Sequence, residues 1–219
     1  LIDAAGILRQ IAISAVPILI AITFHEVAHG YVANRLGDRT AAAMGRLTLN
    51  PLAHIDPIGT VIMPLLLLIF TNGQFVFGYA KPVPINPLNF DNPRKGMAIS
   101  AAAGPITNII LAAVCMLLIK LVVLPSAKLI PETVVVPLFL MLRYGILINV
   151  VLAAFNLIPI PPLDGGRVAV GILPRRHAAA LSSLEPYGMI IVIILIITGV
   201  AGWFIRPLVN LFFALLQMI

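Results

Sequence analysis

The stretch IAISAVPILIAITFHEVAHGYVANRL, residues 11–36, carries His25-Glu26-Val27-Ala28-His29 inside a run apolar enough to cross a membrane. Read as a helix, it sets His25 and His29 four apart on one face, with ring nitrogens close enough to bind a single Zn²⁺. Glu26 follows the first histidine, where a carboxylate can act as general base on a water at the metal. Ionisable groups are costly in hydrocarbon and are rarely kept there without a use. Ile11 to His25 makes about 21 Å of helix at 1.5 Å per residue. In a hydrocarbon core ~30 Å thick, the histidines would lie roughly 10 Å below the far surface, submerged but reachable by a short water channel.

Composition points to a membrane independently of this motif. Hydrophobic residues make up 61% of the 219 and charged ones 10%, with mean hydropathy +1.09. Soluble domains carry about 25% charged residues, so this chain has too few to solvate its own surface. At ~20 residues per crossing there is room for roughly four to six spans, and no polar stretch is long enough for a second domain. We expect one intramembrane domain over 1–219. The net charge of +6 is spread over short loops, which reads as anchoring at a cytoplasmic face and argues against nucleic-acid binding. Cys115 stands alone and excludes an internal disulfide. No small-residue cleavage site follows the first apolar run, so it is not read as a removable signal peptide.

Outward from the first span, about Ile11 to Leu36, basic residues set the topology. Arg35, Arg39 and Arg46 mark the near side as cytoplasmic. The segment 47–95 is punctuated by Asn50-Pro51, Asp56-Pro57, Asn72-Gly73, Lys81-Pro82, Asn86-Pro87 and Asn92-Pro93. Its one long apolar run, Ile58 to Phe70, includes Pro64 and is short for a crossing. A single crossing there would carry Lys81, Arg94 and Lys95 outside, so a re-entrant segment is expected. Alternating Phe75, Phe77 and Tyr79 suggest a short strand over Gln74 to Tyr79. Further spans are expected at about Gly96 to Leu124 and Val134 to Ile158. Tyr187 to Val200 and Trp203 to Ile219 form either a hairpin or one long tilted helix. The expected fold is thus an all-α polytopic membrane protein with a re-entrant or short β segment after its first span.

Two histidines need a third protein ligand if the fourth zinc position is to stay open for water. Asp164 fits best: it follows the span ending near Ile158, returns on the cytoplasmic side, and sits in a loop stiffened by Pro159, Pro161 and Pro162. Gly165 and Gly166 let that backbone approach another element closely. The competing reading of Asp164 is a cap on a following helix.

With these residues in place, the chain resembles the site-2 proteases, zinc intramembrane metalloproteases that cut transmembrane substrates. The likeness rests on His25 to His29, on Gly104-Pro105-Ile106-Thr107-Asn108, and on the Asn156 to Gly166 segment. It implies one Zn²⁺ per chain held by His25, His29 and Asp164, with Glu26 as catalytic acid/base. It implies a catalytic core of three helices, here the first span, 96–124 and 134–158, with further transmembrane helices around it. Asn156 is implied to hold substrate or the oxyanion. Asn108 is a second candidate for that role, against a plain interhelical hydrogen bond. No PDZ insertion or CBS extension is found, which suggests a compact prokaryotic branch. The implied partners are the lipid bilayer and a transmembrane protein or peptide, and the implied location is the plasma membrane, with the site facing the cytoplasm. Two other readings remain: a membrane peptidase acting on tails of membrane-associated peptides, and a zinc-binding membrane protein without hydrolytic activity. The second has no use for Glu26.

The topology is testable by cysteine labelling of intact cells. An impermeant reagent should mark positions in 125–133 and miss those in 35–46, 81–95 and 167–177. External labelling near Arg94 would require a full crossing by 58–70.

Overall fold

Long uncharged stretches leave backbone N–H and C=O groups no partner in lipid except one another, so they close into helices. The computed structural model describes residues 4–70 and 78–217, and among them four helical stretches are long and apolar enough to cross a membrane: Ala12–Arg35, Pro93–Ser126, Glu132–Asn156 and Arg175–Ile197. The helices in chain order begin with α1 (Ala4–Arg35), α2 (Thr40–Ala43) and α3 (Met63–Phe70). Helix α4 (Pro93–Leu118) runs on through a π-helical turn, Ile119–Val123, into α5 (Leu124–Ser126). Then follow α6 (Glu132–Asn156), α7 (Asp164–Ile172), α8 (Arg175–Ser182), α9 (Gly188–Ile197) and α10 (Ala201–Gln217).

Helices α1, α4 and α6 pack on one another. Small residues on α4 make this possible: Ala98, Ser100, Ala101, Gly104 and Ala112 are all buried, and small side chains let helix backbones approach closely. Ala112, Ile119, Ile146 and Val150 form a core that Phe212 of α10 closes from the side. A second cluster, Ile158, Leu163, Val192 and Ala201, seats α9 and the start of α10 against the turn that follows α6. The chain between α9 and α10 breaks at Gly199, whose φ of 77° suits glycine. The C-terminal region is therefore two helices rather than one.

The asparagine–proline and aspartate–proline pairs have a common structural role. Asn50, Asp56, Asn86 and Asn92 each cap a helical turn whose first residue is the following proline, accepting a backbone N–H two or three positions on. These are helix starts as much as turns. Between them the chain makes its excursion: Gly59 O accepts from Tyr79 N at 3.0 Å and His54 O from Lys81 N at 3.0 Å. Residues 54–59 and 79–81 thus lie side by side. No strand occurs among the described residues. Residues 74–77 of the expected strand lie outside them. The β expectation is corrected to that extent: Gly78 and Tyr79 are not in a strand, and the Tyr79 N–H makes a single bond to Gly59 O rather than one rung of a ladder.

Helix α7 is tied to the start of α4 by Arg94, whose guanidinium donates to the carbonyls of Val170 (2.7 Å), Gly171 (3.2 Å) and Leu173. These are the unpaired carbonyls at the end of α7, where a cation is also favoured by the helix dipole. Gly171 allows the approach, since a Cβ there would overlap that of Ala98. Arg94→Met should cost about 2 kcal/mol. Thermal unfolding in detergent would show it as a lowered midpoint, and an unchanged midpoint would contradict this role.

Candidate metal centre

The first histidine and the second stand one turn apart on α1, and the close approach of α4 fixes both rings. His25 Nδ1 lies 2.5 Å from Asn108 Oδ1, and His29 Nδ1 lies 2.8 Å from the Ser100 carbonyl. The orientation of Asn108 is itself settled. Its Nδ2 donates to Asn149 Oδ1 (2.7 Å) and Ala21 O (3.2 Å), while Asn149 Nδ2 donates to Gly145 O at 2.8 Å. The relay starts from backbone carbonyls, so the Asn108 oxygen must face His25 and accept its Nδ1 proton. Ser100 O can only accept. Both neutral imidazoles therefore carry their proton on Nδ1 and present a bare Nε2.

Those two Nε2 atoms are 3.0 Å apart. Asp164 Oδ2 lies 3.1 Å from that of His25 and 3.3 Å from that of His29. Three lone-pair atoms thus meet within 4.8 Å of one another, all on buried residues, and Asp164 Oδ2 has no hydrogen-bond donor. Such a set is repulsive without a cation among them. Two imidazole nitrogens and one carboxylate oxygen are a donor set suited to zinc, as in the two-histidine, one-carboxylate catalytic sites. His25, His29 and Asp164 could hold a metal ion.

Asp164 arrives by a tight turn. It opens α7 without capping it, its backbone preceded by extended Leu163. Gly165 and Gly166 press on the preceding turn: a Cβ on the first would overlap the Leu157 carbonyl, and one on the second the Ile160–Pro161 peptide. Gly104 leaves similar room beneath the rings, where a Cβ would overlap His29 Nε2 and His25 Cε1. The glycines are spaces that the site occupies.

A cavity of about 190 Å³ opens beside the three ligands, lined by Glu26, Val83, Ile85, Asn156 and Arg167 among others. Glu26 Oε2 accepts from the Val83 N–H at 2.8 Å. Asn156 lines this cavity while donating through Nδ2 to Leu152 O of its own helix at 3.0 Å. Asn108 does not line it: the residue has no exposed surface and stands behind His25. His54 is also buried and is a turn residue, with Nε2 2.8 Å from Thr48 O.

Sequence reasoning passed over Asn149, Ser100 and Asp38. Asn149 was open to detection, being an amide in an otherwise apolar span. Ser100 contributes a carbonyl, which every residue has. The backbone and side-chain partners of Asp38 at Asn86 and Asn89 lie 48 and 51 residues away, beyond any local pattern.

Comparison with known proteins bears on this site. The model of peptidase family M50 matches residues 125–199, which include Asp164. "Putative zinc metalloprotease YwhC" of Bacillus subtilis (strain 168) is 36% identical over 195 residues, 89% of this chain and 84% of that protein. "Putative zinc metalloprotease Rip2" of Mycolicibacterium smegmatis is 27% identical over 195 residues, 89% of this chain and 70% of its own. The protein of the same name from Mycobacterium tuberculosis (strain ATCC 25618 / H37Rv) is 27% identical over 187 residues, or 85% and 67%. No solved structure matches the chain.

Metal analysis of purified protein should find about one zinc per chain, retained in Glu26→Gln and lost in His25→Ala, His29→Ala or Asp164→Ala. Asn108→Leu should weaken zinc binding roughly 10- to 100-fold by freeing the His25 ring. Full affinity in Asn108→Leu would show that the relay does not matter to the metal.

Proposed function

The chain belongs to peptidase family M50, the site-2 protease family, and from that premise we propose that it is an intramembrane zinc endopeptidase hydrolysing bonds in or near transmembrane segments of membrane proteins. One observation carries the reading. Two histidines of a membrane-length helix and Asp164 at the start of α7 bring three candidate ligand atoms together, and a carboxylate, Glu26, shares their cavity. A zinc carrier without hydrolytic activity would give no reason for that carboxylate.

Zinc held by His25, His29 and Asp164 supplies Lewis-acid chemistry, which includes lowering the pKa of a coordinated water to about 7. Glu26 takes the proton of the attacking water and returns it to the leaving amine. Its Oε2 is held by the Val83 N–H, which leaves Oε1 to handle that proton. Asn156 stands at the cavity with one amide N–H beyond the bond to Leu152 O, a donor for substrate or for the developing oxyanion. His25, His29 and Asp164 are each less than a tenth exposed, which limits access of bulk water to them. We assign the site to the cytoplasmic half of the plasma membrane and the whole of 1–219 to a single proteolytic domain.

A substrate helix keeps its carbonyls in hydrogen bonds, so it must unwind before attack. Gly, Pro or Asn near the cut lowers that cost. In liposomes holding the protein and a membrane-spanning reporter peptide, Gly and Pro near the cytoplasmic end should favour cleavage. Their replacement by Leu should slow turnover several-fold without abolishing binding. Equal rates for both reporters would contradict intrahelical attack and favour action on peptide tails. Asn156→Ala should lower turnover more than zinc content.

A further inference from the structure

Across the candidate site lies an extended strap, Lys81 to Asn86, with the sequence KPVPIN. It is pinned at both ends. Upstream, Arg46 Nη2 donates to the carbonyls of Lys81 (2.9 Å) and Pro82 (3.2 Å), and Lys81 N donates to His54 O. Downstream, Asn86 N donates to Asp38 Oδ2 at 2.7 Å. Pro82, Pro84 and the following Pro87 have no N–H and restrict φ, so the strap is stiff and poor in donors. Of the N–H groups between its pins, that of Val83 goes to Glu26. Val83 is buried, its side chain filling room left by Gly30, where a Cβ would come 2.6 Å from Val83 Cγ1.

Asp38 has no exposed surface. Besides Asn86 N, it accepts from Thr40 N (3.1 Å), Thr40 Oγ1 (2.5 Å) and Asn89 Nδ2 (2.7 Å). Burial works against its charge, yet these donors outweigh it and hold the carboxyl below its ordinary value. An ionised carboxylate with four donors is a firm anchor. It ties the turn after α1 to the strap, and the strap in turn holds a residue of α1.

We propose that Asp38 is a positioning residue for Glu26, acting through the strap by fixing the Val83 amide that orients the Glu26 carboxylate. The proposal rests on Glu26 being the catalytic base. Without the pin, the strap shifts, the Val83 N–H leaves Oε2, and Glu26 gains freedom to turn away from its water. Misplacement of a catalytic group by about 1 Å can cost 10²-fold.

The test uses the full chain, zinc-loaded in liposomes, with the Gly- and Pro-containing membrane-spanning reporter. Asp38→Asn replaces one acceptor oxygen by an N–H₂ group, and Val83→Pro removes the donor to Glu26 directly. Each should lower kcat roughly 10- to 100-fold, with KM changed by less than about twofold and zinc still bound. The double variant should be no slower than the slower single variant, because both act on one link. Amide hydrogen exchange gives a readout independent of turnover: Asp38→Asn should speed exchange at Val83 by about tenfold or more. Losses that multiply in the double variant, or wild-type kcat in either single, would overturn the proposal. If Asp38→Asn fails to fold, Val83→Pro decides alone: a fall in kcat with zinc retained supports the link, and wild-type kcat refutes it. Turnover by Glu26→Gln would defeat the reading of Glu26 as base. An inactive Glu26→Gln beside active Asp38→Asn and Val83→Pro would defeat only the positioning role.

Discussion

Everything in this molecule turns on forcing three lone pairs together inside an apolar bundle. His25 Nε2, His29 Nε2 and Asp164 Oδ2 lie 3.0–3.3 Å apart, and in the Nδ1-protonated neutral tautomers all three face one another as lone pairs. That arrangement is unfavourable by itself, and its maintenance explains the polar groups buried elsewhere. Asn149, Asn108 and the Ser100 carbonyl hold the two imidazole protons away from the centre. They do so in surroundings of low polarity, where such hydrogen bonds are strong and their loss is costly. Fold and site are therefore one construction, since α1, α4 and α6 each contribute to the relay.

Close approach is the second constraint. Gly104 lies against both rings, Gly165 and Gly166 against the turn from Leu157 to Pro161, and Gly171 against Ala98. At each, a methyl group would meet backbone, a histidine ring or, for Gly171, the Ala98 methyl rather than space. Arg94 then secures the far end of the helix that Asp164 opens. Asp164, the candidate ligand on α7, is thus placed from two sides: by the glycine contacts beside it, and by a cation on the last carbonyls of its helix.

Much of this was legible in the residues themselves. Hydropathy located the first three spans to within a few residues, because lipid leaves the backbone few alternatives to a helix, while the fourth candidate stretch begins at Arg175 rather than Tyr187. The His25–His29 spacing and the Asp164 loop carried local signals: a four-residue period, and prolines beside glycines. What escaped was non-local. Asn108 looked equally suited to substrate or to helix packing, and only the arrangement of three helices places it behind His25. The strap's prolines leave few donors for pairing, and those described go to His54, Glu26 and Asp38, contacts that no local pattern shows. Asp38 itself, beside a helix end, resembles any turn aspartate until residues 86 and 89 are brought beside it.

The central claim is that two Nδ1-protonated histidines and one aspartate hold the metal, with a further position open. X-ray absorption at the zinc edge of Glu26→Gln protein tests it most directly. The account predicts two imidazole nitrogens and one carboxylate oxygen at about 2.0–2.2 Å, with one further light-atom ligand. The Asp164→Asn, Glu26→Gln double variant should lose the carboxylate contribution. A spectrum unchanged by Asp164→Asn, or one showing sulfur or a single imidazole, would contradict it.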